Sequence, residues 1–388
     1  MSLWIKGNKL STEQREFIAA IKKDTAHVHW VQGAAGTGKT TVLATLAQEL
    51  RVEQPDASFC YLTYTHALKE LAETSFKDEN IQGVHFLTHS KFLSNNMRCD
   101  FVLLDEVQDI KPADLLKIKN LAKHLIIAGD CAQSIYEESS SEEQIQTGLS
   151  ATQHKLILMH RLTERLAAIA NKILPSANIL GSKPSNTAAN TTARLISHPD
   201  ENKELIWVAK EALSRARPAK PSCILFSHHA DITKFINVLV TEYKTSDLDP
   251  QFGFQQNRRE KYDYSSVNKH LEHHDMNLRY LGNGCGDLKE IDQKPMVYIM
   301  TYHSAKGLDF DNVFIPQLNE KKQIALNFVL EKNPDLDKRL LFVAITRSRC
   351  NLFLTYSSKQ PHPLISDLPD LTAVPYQPSH EDDDEDFF

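Results

Sequence analysis

GAAGTGKT, Gly33 to Thr40, follows a short apolar stretch, Val28–Val31, and precedes a helical pattern over Thr41–Leu50. It fits GxxxxGK[ST] between a strand and a helix, the context in which that spacing forms a phosphate-binding loop. The glycines let backbone N–H groups converge on phosphate oxygens, and the helix N-terminus adds positive dipole. Lys39 would reach the β/γ phosphates of ATP, and Thr40 would offer its hydroxyl to Mg²⁺.

A second stretch, FVLLDEVQD, carries apolar Phe101–Leu104 into Asp105 and Glu106. Ligands bind at the carboxyl ends of parallel strands. Asp105 therefore suits Mg²⁺, which takes few carboxylates and keeps its waters, and Glu106 suits the base that positions water in phosphoryl transfer. Outward from these motifs, short apolar runs alternate with helical patterns. Phe59–Leu62 and Leu125–Ala128 read as buried strands, with Ala113–Leu121 helical before the latter. The pattern resumes at Cys223–Phe226, Val297–Thr301, Val313–Ile315 and Leu352–Leu354. The fold class is α/β, with parallel sheets flanked by helices.

We expect two domains, residues 1–158 and 159–358. An irregular polar insertion near 244–290 includes the GNGCG run, and a Pro-rich, acidic tail covers 359–388. The chain has 388 residues and net charge −6, but Glu381–Phe388 alone hold six of the 50 acidic residues, leaving 44 acidic against 44 basic. A neutral body argues against strong non-specific duplex binding and permits single-strand binding through stacking and a local groove. No apolar run is long enough to span a bilayer, so no membrane partner is expected. The first residues show no secretory pattern. Six scattered cysteines without a CxxC pair point to a reducing, cytoplasmic setting, and against a zinc site or disulfide frame. The pairs His228–His229 and His273–His274 lack partners at ligand spacing and are not read as a metal site.

With these motifs in hand, the chain from about residue 10 to 356 resembles the UvrD/Rep family of superfamily 1 DNA helicases. LSTEQREFI resembles the Q motif, LTYTHALKELA motif Ia, FLTHSKFL motif Ib, DEVQD motif II and GDCAQSIY motif III. MHRLT resembles motif IV, TYHSAKGLDF motif V and RLLFVAITRSR motif VI. The resemblance implies two RecA-like P-loop NTPase domains. It implies an ATP site built from Gln14, on the adenine, with Gly33, Ala34, Ala35, Gly36, Thr37, Gly38, Lys39, Thr40 and Thr41, completed by Arg161, Gly307, Asp309 and Arg347. Gln133 would sense the γ-phosphate. Arg161 and the arginine finger Arg347 would come from the second domain. Thr65, His66, Thr88, His89, Ser90, Tyr136, Thr301 and His303 stand where the family meets nucleic acid.

Departures from the family pattern matter as much. His160 occupies the place of an adenine-stacking aromatic, Thr41 that of an arginine, and Asp309 that of a glutamate. Glu137, Glu138 and Ser139 follow motif III where relatives continue with an aromatic and an arginine. Only Glu73–Asp100 separates motif Ia from motif II, too little for the family's accessory domain. The implied function is an ATP-dependent 3′-to-5′ helicase or translocase on single-stranded DNA, with RNA as the alternative strand. A second reading is a strand-stimulated ATPase subunit of a larger complex, whose partner supplies unwinding or nuclease function. HEDDDEDFF resembles the acidic tip of bacterial single-strand-binding proteins. Docking on a protein partner, solubilisation and competition for the protein's own groove are alternative roles for it.

Overall fold

The computed structural model describes residues 10–24, 28–136, 138–186, 191–244, 262–368 and 371–376; the side chains of 66–67 and 184–186 are outside this description. Glu137, residues 245–261 of the polar segment and the acidic run of the tail lie outside the described residues. The chain folds as two compact units, one made of Met1–Ala167 and Leu174–Thr187, the other of Ala168–Ile173 and Ala188–Phe388.

In unit one, α1 (Thr12–Lys23) starts at a capping box: the Ser11 hydroxyl accepts from the Gln14 N–H while the Gln14 side chain accepts from the Ser11 N–H. Then follow β1 (His29–Gly33), α2 (Lys39–Glu53), β2 (Phe59–Thr63), α3 (His66–Asp78), β3 (Val84–Thr88), α4 (His89–Asn95), β4 (Cys99–Leu104), α5 (Pro112–Leu121), β5 (Ala122–Gly129), α6 (Glu142–Leu149) and β6 (Thr152–Leu156). Among the described residues the strands form one parallel sheet in the order β3-β2-β4-β5-β1-β6.

Alternation along each strand sends side chains to both faces. Val31, Tyr61, Leu103 and Ala128 join Phe17, Val42, Leu46 and Phe76 of α1, α2 and α3. Trp30, Leu62, Val102 and Ile127 join Phe92, Leu115 and Ile145 of α4, α5 and α6. Helices on both faces explain why the strands read as continuous apolar runs. Each fully buried side chain of this kind contributes about 1.5–3 kcal/mol.

Two findings differ from the sequence reading. Cys60 on β2 and Cys99 on β4 are joined by a disulfide, S–S 2.07 Å. They lie 39 residues apart in the chain, but their strands are neighbours and both side chains enter the same core layer. Linear spacing cannot show that. Second, the chain does not pass to unit two at residue 158: residues 159–167 and 174–187 belong to unit one, and only Ala168–Ile173 between them to unit two. It runs as β7 (Leu158–Thr163), where the His160 N–H donates to the Gly36 carbonyl (2.8 Å), continues into α7 (Glu164–Ile173), and returns in β8 (Lys183–Asn186), parallel to β7. Arg161 thus belongs to unit one, not to the second domain as expected.

Unit two contains β9 (Ala193–Ser197), α8 (Glu201–Arg215), β10 (Ser222–Phe226), α9 (His229–Glu242), α10 (Tyr264–His273), β11 (Leu278–Tyr280), β12 (Val297–Thr301), β13 (Phe310–Ile315), α11 (Asn327–Leu330), α12 (Leu336–Ile345), β14 (Ser348–Tyr356) and β15 (Ala373–Pro375). Its parallel sheet runs β11-β12-β10-β13-β14-β9-β15. The stretch read as irregular is partly regular. Tyr264, Val267 and Leu271 form the apolar stripe of α10, Leu278 and Tyr280 alternate inward on β11, and all five enter the core. Polar intervening residues hid a pattern of only five apolar positions. Among the described residues no helix is long and apolar enough to cross a membrane.

Candidate functional site

The carboxyl rim of unit one's sheet gathers the motif residues. β1 ends at Gly33, and the loop to α2 turns through Gly36 (φ +80°) and Gly38 (φ +81°), backbone that glycine adopts without a Cβ penalty. A Cβ at Gly36 would lie 2.7 Å from that of Arg161, and one at Gly38 2.5 Å from the Gln14 amide nitrogen. Lys39 is 9% exposed, and its Nζ donates to the carbonyls of Gly33 (2.7 Å) and Ala34 (3.2 Å). Burial pushes its pKa down, while Asp130, Glu106 and Asp105 pull it up. Three carboxylates thus oppose the desolvation of the ammonium group beside the loop.

β4 delivers Asp105 and Glu106. Asp105 Oδ2 accepts from the Thr40 hydroxyl (2.7 Å) and from the Tyr61 hydroxyl (3.3 Å). Burial, then the adjacent Glu106, raises its carboxyl to about 6 against the pull of Thr40 and Lys39. A cation would relieve that penalty. A hydroxyl and a carboxylate at 2.7 Å fit the sparse protein ligation that Mg²⁺ takes beside phosphate and water.

Glu106 sits at φ +56°, uncommon for a side-chain-bearing residue. It is 9% exposed, and the Gln108 amide donates to its Oε2. The other end of Gln108 accepts from the Asp130 N–H at 3.1 Å. Asp130 in turn accepts from Gln133 Nε2 (2.8 Å) and from the Ala132 N–H (3.1 Å). Gln108, fully buried, therefore links the residue expected to act as base to the loop that carries Gln133. The sequence reading did not single out Gln108, Asp130 or Tyr61. The signal available was the second acceptor-donor residue inside DEVQD.

Farther along the same rim, Tyr64 stacks on His89 (ring centroids 5.2 Å) and packs against Tyr136 (4.3 Å). Thr65 and Thr88 cap α3 and α4, their hydroxyls accepting from Leu68 N and Lys91 N (3.3 Å each). Ser90 Oγ lies 3.2 Å from Thr88 Oγ1. His66 opens α3. Burial lowers the pKa of His89 against the pull of Asp114. Tyr64 was not among the expected contacts.

In unit two, Thr301 ends β12 and its hydroxyl donates to Ser304 Oγ (2.9 Å). Burial, aided by Lys306, brings the His303 pKa down to about 4. Gly307 has φ +80°. Asp309, expected near the nucleotide, forms an ion pair with Arg349. Arg347 is 2% exposed; Nε donates to Val343 O (2.9 Å), Nη1 to Leu308 O (3.1 Å) and Nη2 to Thr346 Oγ1 (3.1 Å).

A P-loop paired with a strand-end Asp-Glu on a parallel sheet defines a P-loop nucleotide-binding protein. Residues 14–139 match the AAA domain, and residues 265–359 match the UvrD-like helicase C-terminal domain. The two matches, with the relatives below, support a UvrD/Rep-like helicase. A probable DNA helicase II homolog of Rickettsia conorii is 28% identical over 125 residues, covering 29% of this chain and 18% of its own length. DNA helicase IV of Escherichia coli K12 is 21% identical over 328 residues, 79% of this chain and 40% of that protein. The arterivirus nonstructural protein 10 helicase aligns over 87% of this chain and 61% of its own, at 14% identity and a TM-score of 0.44. The chain thus spans from under a fifth to two fifths of these curated relatives.

Proposed function

We propose that this chain hydrolyses ATP with Mg²⁺ to move along single-stranded nucleic acid. The observation that carries the reading is the connected constellation on one rim: Lys39 at the loop, Thr40 on Asp105, and Glu106 held through Gln108 to Asp130 and Gln133. Lys39 would meet β/γ oxygens, Thr40 and Asp105 would hold the cation, and Glu106 would take a proton from the attacking water. The cation would supply charge neutralisation on the phosphates. Arg161, whose backbone adjoins Gly36, would meet phosphate from within unit one. Arg347 carries the arginine-finger role only through the family resemblance, as does the 3′-to-5′ direction. A cytoplasmic setting is likewise proposed.

The Tyr136–Tyr64–His89 stack is the proposed base platform, and the caps at Thr65 and Thr88 set the backbone beside it. DNA is the favoured strand because DNA helicases dominate the relatives. The test is the ATPase rate of the purified chain with no nucleic acid, single strands or blunt duplex. Strong stimulation by single strands alone supports the reading, and equal stimulation by blunt duplex refutes it. Strand displacement on 3′- and 5′-tailed duplexes reads the direction. Tyr64→Ala should weaken single-strand affinity by about 1–3 kcal/mol, the worth of one stacked base, with the unstimulated ATPase unchanged; affinity within twofold of the parent would remove Tyr64 from the platform.

A second reading is an ATPase subunit of a larger assembly. One relative, 42% identical over 60 residues, is the RecB subunit of the RecBCD enzyme of Chlamydia muridarum. ATPase stimulation without strand displacement by the pure chain would favour it.

A further inference from the structure

Gln14 is the residue on which the family resemblance rests base recognition. To read adenine, a glutamine amide accepts from the exocyclic amino group and donates to a ring nitrogen. Here both ends are engaged elsewhere. Gln14 Oε1 accepts from the Ser11 N–H at 3.0 Å, and Nε2 donates to the Thr37 carbonyl at 3.1 Å. The side chain has no exposed surface. A Cβ at Gly38 would meet the same Nε2 at 2.5 Å, so the phosphate loop is wrapped tightly over the amide.

The neighbouring positions lack the side chains that the resemblance expects around adenine. His160, whose backbone N–H donates to the Gly36 carbonyl, puts an imidazole in the place of the expected adenine-stacking aromatic. Thr41 is 5% exposed and offers no planar cation. A ring stacks on any base, since every base has a π face.

We infer that the nucleotide site selects the triphosphate and not the base, and that Gln14 is a positioning residue that ties the phosphate loop to the first turn of α1. This rests on the proposed nucleotide hydrolysis but is separable from it.

The experiment compares ATP, GTP, CTP and UTP as substrates of the full chain with saturating single-stranded DNA. The expected kcat/KM values agree within about tenfold, the worth of at most one ordinary hydrogen bond. Gln14→Ala should raise KM for all four by a common factor while kcat stays within about threefold, the signature of lost uniform binding. A preference for ATP above roughly 100-fold would overturn the inference, since sites that read a base edge discriminate strongly. So would a Gln14→Ala variant that loses ATP selectively. If none of the four is hydrolysed, the proposed activity fails. Displacement of a fluorescent ATP analogue from the unaltered chain by the four nucleotides then still decides base selectivity, without any variant having to fold.

Discussion

Glu106→Gln should keep ATP binding and lose turnover by about 10²–10⁴-fold, the usual contribution of a positioned base. The substitution preserves the volume and the acceptor that meets Gln108, so the left-handed backbone at residue 106 and its link to Asp130 should persist. Only the capacity to take a proton is removed. Lys39→Ala should also abolish turnover, but with loss of nucleotide affinity, because it removes a charge that Asp130, Glu106 and Asp105 hold in place. The alanine also leaves those carboxylates facing one another without a cation. Isothermal titration and single-turnover kinetics separate the two variants. Turnover within a few-fold of the parent in either would displace the catalytic centre from this rim.

Arg347→Lys is expected to lower kcat by about 10³-fold or more if the residue meets the developing charge on the γ-phosphate, as arginine fingers do. The structure gives this residue a second task. Its guanidinium braces the end of α12 against the Leu308 carbonyl, and a lysine cannot reproduce that fork. Loss of the brace costs about 1–3 kcal/mol and would appear in thermal unfolding. A variant with a lowered melting point but turnover within tenfold of the parent would make Arg347 an internal brace alone.

The nucleotide side of the site was legible because its signals are local. The loop Gly33–Thr40 needs glycines at set positions, and Asp105 and Glu106 follow an uninterrupted apolar strand. What stayed hidden depends on strand order or on side-chain direction. Cys60 and Cys99 become partners only once β2 and β4 are known to be adjacent. Gln108 reads as filler until its two ends are seen to meet Glu106 and the Asp130 backbone. Arg161 resembles a family motif of the second domain, yet the His160–Gly36 hydrogen bond keeps it with the first unit. Tyr64 lay beside the expected contacts, and nothing in its neighbours announced that its ring would fall between Tyr136 and His89. In α10, polar residues between Tyr264, Val267 and Leu271 masked a buried stripe.

The last described strand, β15, pairs Ala373, Val374 and Pro375 with Leu195, Ile196 and Ser197 of β9, and Tyr376 follows with a hydrogen bond to the Ser197 carbonyl (2.8 Å) and a ring stacked on His198. An open strand margin is a template on which a second chain can grow. Three residues ending in an imino acid occupy that margin and offer little in exchange, since proline has no N–H to extend the ladder. The segment therefore bears on colloidal behaviour: a chain cut before Ala373 would bare the apolar strand β9 and be prone to self-association at concentrations where the longer chain stays dispersed.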